Sequence, residues 1–167
     1  MQRQSILVAA SGALLLLAAS VADAGAGSGG TDDPLAVLKR IYVLPTPYFD
    51  AFHDREERPK FYTRRIHEQA LRMEACFHER FKMEHLDYDY IVPGQDYNLS
   101  NLKITLVSRS GEEAAAKVTF ASMGEGHEVT HTLRRVAGHW LIDDSAFASG
   151  GSLFESLSRP CTPARPQ

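Results

Sequence analysis

The apolar positions of this chain change their period three times. An unbroken apolar run from Ile6 to Ala19 comes first and has no period. Leu35, Leu38, Ile41 and Tyr42 then recur at helical spacing behind Asp33-Pro34, a capping side chain followed by a proline at the first helical position. This predicts a helix over about 34 to 43. Pro45 and Pro47 end it, and a partly irregular segment runs on through Pro59. Between Phe61 and Lys82, residues Ile66, Ala70, Met73, Phe77 and Phe81 follow one another at steps of three or four, the stripe of the longest helix. The stretch from Leu86 to Asn101 is rich in Asp, Tyr, Pro and Gly and reads as a structured loop. Beyond it the period drops to two: Leu102, Ile104 and Leu106, then Val118 and Phe120, then Val129, His131 and Leu133, then Trp140 and Ile142. Gly111, Gly124, Gly126 and Gly138 fall between the runs as turn residues, so four antiparallel strands joined by hairpins are predicted. Ser152, Leu153, Phe154 and Glu155 form a capping box that opens a short closing helix. Helices, a meander and a last helix make an α+β arrangement, with helices packed on one face of a curved sheet.

The first apolar run changes meaning once its flanks are read. Arg3 precedes it, and Ala22 and Ala24 follow in the A-x-A arrangement that signal peptidases accept, so residues 1–24 read as a signal peptide. The run is shorter than the roughly 20 residues that span a bilayer. No cysteine stands near the cleavage point to carry a lipid, so no stable membrane anchor is expected. The expected location is periplasmic or secreted, soluble after cleavage. Residues 25–32 read as a flexible linker, 33–159 as a single α+β domain and 160–167 as a Pro-rich tail. Hydrophobic content of 44% and charged content of 23% suit one globular core. Loss of Arg3 and Asp23 leaves the net charge at −3, which argues against nucleic acid as a partner. The basic stretch from Arg55 to Arg72 is interrupted by Glu56, Glu57 and Glu68 and reads as a solvated helix surface.

Three features carry a family resemblance. They are the acidic segment Leu86-Asp87-Tyr88-Asp89 running on to Gly94-Gln95-Asp96, the strand motif from Gly138 through Trp140 to Asp143-Asp144, and the glycine pair Gly150-Gly151 before the last helix. In that order and spacing the chain resembles the exported bacterial proteins grouped as domain of unknown function 3828. The resemblance implies the cystatin-like, nuclear-transport-factor-2-like fold, a cone in which a curved antiparallel sheet of about four strands is packed on a long helix. It implies no activity. Ser145 stands after Asp143-Asp144, where the family pattern leads one to expect a hydrophobic residue, and the lipobox cysteine of many relatives is absent.

Candidate chemistry is sparse. Cys76 and Cys161, the two cysteines of an exported chain, are most simply a disulfide. Neither His67 with His78 nor His127 with His131 has tight ligand spacing, so no metal and no cofactor are expected. Cone-shaped folds place acidic and aromatic side chains at the mouth of an apolar cavity, which makes Tyr88, Asp89, Tyr90, Gln95, Asp96, Asp143 and Asp144 the binding candidates. The competing reading gives Asp96 and Asp143-Asp144 to turn and backbone hydrogen bonds. Tyr48, Phe49, Phe52 and Tyr97 join the aromatic group assigned to recognition. The expectation is an exported, non-catalytic binding module of the bacterial envelope, of accessory or immunity type, engaging an envelope protein or small ligand through the cone mouth and aromatic loops. A small periplasmic hydrolase or isomerase using carboxylate acid/base chemistry is the alternative. A homodimer paired through its sheet faces also stays open.

Overall fold

The computed structural model describes residues 32–43, 49–81, 91–92 and 99–160. Asp33 opens the first helix as its sequence requires: the carboxylate accepts from the Leu35 N–H at 2.9 Å, and α1 runs over Ala36–Val43. Val37, Leu38, Ile41 and Tyr42 are its buried face. The segment read as irregular contains a short helix, α2 (Phe49–His53), and a 3-10 turn over Arg58–Lys60. Asp54 joins the two by accepting from the N–H groups of Glu56 and Glu57. Phe52 is buried at 2% exposure and so belongs to the core rather than to a recognition surface.

The long helix α3 covers Arg64–Phe81, starting three residues later than its apolar stripe suggests. The reason lies in β-pairing, which takes up Phe61, Tyr62 and Thr63. Ile142 donates to the Phe61 carbonyl at 2.8 Å, and Thr63 donates to the Ile142 carbonyl at 2.9 Å. Ile66, Ala70 and Met73 of α3 are buried in the same cluster as the apolar residues of the sheet.

Four strands follow in the predicted order: β1 (Leu99–Ser110), β2 (Glu113–Ser122), β3 (Glu125–Val136) and β4 (His139–Phe147). They form one open antiparallel sheet in the order β1-β2-β3-β4. Gly126 lies within β3 and not in a turn. Strand β2 alternates strictly, with Ala114, Ala116, Val118 and Phe120 turned to the core. The edge strand β1 does not. It carries one extra residue between Ser100 and Lys103 and another between Leu106 and Ser108, and these bulges break its alternation. Leu106, expected on the core face, stands opposite the buried Ala116 in unbroken register with Ile104, yet on this edge strand it is 40% exposed. A third irregularity sets Thr132 opposite Asp144 but Leu133 opposite Ile142, which makes Asp143 the extra residue of β4.

The five-residue α4 (Leu153–Leu157) is too short to persist alone. Burial of Leu153 and Leu157 holds it, together with the Ser152 hydroxyl, which accepts from the Glu155 N–H at 3.2 Å.

Arg58, inside the basic stretch read as solvated, has no exposed surface. Its guanidinium donates to the Phe52 carbonyl and to Glu74 of α3, itself buried, and Arg55 donates to the second oxygen of Glu74 at 2.8 Å. Removing one member of such a pair leaves a buried charge uncompensated, at a cost of about 3–5 kcal/mol. Arg58 is therefore a core residue that pins the α2 region to α3.

Candidate functional site

Of the seven binding candidates, Tyr88, Asp89, Tyr90, Gln95 and Asp96 lie outside the described residues, as do Tyr48 and Tyr97. Asp143 and Asp144 are described, and both are committed to structure. The β4 bulge turns Asp143 toward the start of α3. There the Thr63 hydroxyl donates to its carboxylate at 2.7 Å and Arg65 donates at 2.9 Å. Arg65 also donates to the Asp143 carbonyl at 2.7 Å and lies 3.9 Å from the centre of the Phe154 ring, so one side chain ties α3, β4 and α4 together. Arg134 stands 3.8 Å away on the other side. Asp144 accepts from its neighbour's N–H at 2.8 Å and from the Phe154 N–H at 2.9 Å. That second bond satisfies a free donor in the first turn of α4.

Ser145 is a buried polar residue of β4 with a polar partner. It faces the core opposite His131, has no exposed surface, and its hydroxyl lies 2.9 Å from His131 Nδ1. Tyr42 lies 2.9 Å from Nε2 and donates its proton to the Ile91 carbonyl at 2.8 Å. With its one proton given to Ile91, Tyr42 accepts from Nε2–H, which leaves Nδ1 to accept from Ser145. The imidazole is held neutral, and burial pushes its pKa down to about 3.

The described residues form an open cleft of about 660 Å³ between α1, the 3-10 turn and the β3–β4 hairpin. Ala36, Val37 and Arg40 contribute from α1, Pro59 and Lys60 from the turn, and Val136, Ala137 and His139 from the hairpin. Trp140 and Leu141 complete the apolar lining. Trp140 is 5% exposed, and its indole N–H is buried without a hydrogen-bond partner among the described residues. Asp33 lies at the edge of the cleft, where the Lys39 ammonium, hydrogen-bonded at 2.8 Å, holds its carboxyl below the ordinary carboxylate range. Lys60 pairs with Glu57. Arg40 is different: it is exposed, it makes no ion pair among the described residues, and its guanidinium lies over the Phe61 ring at 4.7 Å.

Sequence reasoning put Trp140 in the core, which is where most of the ring lies, but the cleft beside it went unread. Its walls come from residues about 100 positions apart, and no local spacing announces that. A second hollow of about 570 Å³ lies against Thr63, Arg65, Arg134 and Asp143, bordering the structural carboxylate already described. No protein-family model matches the chain, and no curated protein is significantly similar to it.

Proposed function

We propose that this chain is an exported, non-catalytic binding module of the bacterial cell envelope, built on the cystatin-like cone and engaging its ligand or partner through the cleft between α1 and the β3–β4 hairpin. One contrast carries this reading. Asp143 and Asp144 are consumed by structural hydrogen bonds, whereas Arg40, exposed in the lining of the cleft, makes no ion pair among the described residues. A site built for recognition leaves donors available, and one built for acid/base chemistry needs a titratable pair with room for substrate. The loop bearing Tyr88, Asp89 and Tyr90, with Gln95 and Asp96, is assigned to the same recognition role on its sequence alone. Export to the periplasm follows from the signal peptide read in residues 1–24. Among the described residues no helix is long and apolar enough to cross a membrane.

Native mass spectrometry of the protein purified from its own envelope tests the reading. A bound species is expected on the wild type, lost in the Arg40→Glu variant and retained in Asp144→Asn. A wild type that travels bare, or a bound species indifferent to Arg40, would overturn it.

A further inference from the structure

We infer that the cleft takes a small apolar monocarboxylate, with the carboxylate on Arg40 and an aromatic or aliphatic body against Trp140. The inference rests on the binding-module reading above and gives its site a ligand class. Size comes first: about 660 Å³ lies within the roughly 300–1,000 Å³ range of small-molecule sites. The lining includes the buried apolar residues Val37 and Trp140, at 4% and 5% exposure.

Charge then narrows the choice. Asp33 is taken by Lys39, and Lys60 is taken by Glu57, so their charges largely cancel within the protein. Arg40 remains as the uncompensated charge of the rim. Its face is occupied by the Phe61 ring, and a stacked guanidinium keeps its N–H groups directed outward in the plane, the geometry that grips a carboxylate with two parallel hydrogen bonds. A single free positive charge matches a monoanion. A phosphate ester carries more charge than Arg40 alone can balance, and an amine would meet repulsion there while the Asp33 carboxylate is already occupied.

Trp140 is the only tryptophan of the chain, so intrinsic fluorescence reports on the cleft directly. The mature wild-type protein is titrated with 3-phenylpropionate and with its neutral isostere 3-phenylpropionamide. A saturable fluorescence change is expected for the acid, with binding at least about tenfold weaker for the amide and for the acid on Arg40→Gln. Lys103→Gln, on the far β1 strand, should bind like wild type. Circular dichroism melts confirm that both variants are folded, as the exposure of both positions predicts. Equal binding of amide and acid, unchanged binding on Arg40→Gln, or no response to the acid overturns the carboxylate assignment. A protein that fails these titrations yet still carries an Arg40-dependent species in native mass spectrometry keeps the binding role and loses only the ligand class.

Discussion

His131 shows how far a single side chain can tie stability to solution conditions. The folded imidazole resists protonation down to about pH 3, because a charged ring in this place would have neither water nor a counter-charge. In the unfolded chain the same ring titrates at its ordinary value near 6.5. Between those two values the unfolded state binds the extra proton, so this contribution to stability is complete above about pH 6.5 and is lost as pH falls toward 3. The slope approaches about 1.4 kcal/mol per pH unit. Urea unfolding at pH 7 and pH 5 should therefore cost the wild type about 2 kcal/mol more than His131→Leu, in which that proton linkage is gone. All other groups are common to both proteins and cancel in the comparison. Parallel pH profiles would show that His131 is not buried neutral. The phase of His131 with Val129 and Leu133 made its burial legible in the sequence. Its partners were not legible: Tyr42 is 89 residues away, and Ser145 looked like a mismatch until its hydroxyl was seen to satisfy the ring.

At the scale of elements, legibility followed position in the sheet. Strand β2 has a neighbour on both sides and a buried face, so its alternation is strict and its place could be read from period alone. Strand β1 lies at the edge, where two bulges break the pattern; Val107 is the extra residue of one of them and is exposed, as is Leu106 before it. Bulges at an edge hinder pairing with another chain, a use the period-two rule does not register. The Phe61–Thr63 stretch was misassigned because helical spacing and half-buried extended pairing coincide over three residues. The turns offer a sharper test. Both β2–β3 and β3–β4 connect through two residues of positive φ, Met123-Gly124 and Ala137-Gly138, the signature of a type I′ hairpin. Glycine is at ease there, but methionine in the left-handed region is not, and Met123 at 76% exposure gains little packing in return. Met123→Asn should raise the unfolding free energy by about 0.5–1 kcal/mol, since asparagine tolerates this conformation and leads such turns. A chemical denaturation midpoint that falls instead would mean that Met123 makes contacts its exposure does not suggest.

At the scale of the whole molecule, the α+β class and the meander were readable because they rest on local periods, whereas the cleft was not, because it exists only where α1, the 3-10 turn and the β3–β4 hairpin converge. The same limit applies to the cysteines. Cys76 lies half-buried on α3, and Cys161 lies outside the described residues, so the bridge between them remains a prediction that the geometry near it can sharpen. Gln69 of α3 donates to the Leu157 carbonyl at 2.9 Å, which fixes the end of α4 beside the middle of the long helix. Cys76 is seven residues further along α3, two turns on the same face and about 10 Å away. Past Leu157 the described chain turns, with the Ser158 N–H donating to the Phe154 and Glu155 carbonyls. Closing a loop of about 85 residues would stabilise the fold by up to about 4–5 kcal/mol in the chain-entropy model. Peptide mapping of non-reduced envelope protein should recover Cys76 linked to Cys161. Cys161→Ser should unfold at lower denaturant, and adding reductant should lower the wild type to the level of the variant. If the variant and the wild type unfold together under oxidising conditions, or mapping finds two free thiols, the bridge does not form, and α4 is held by the burial of Leu153 and Leu157 and by its contacts with Ser152, Asp144, Gln69 and Arg65.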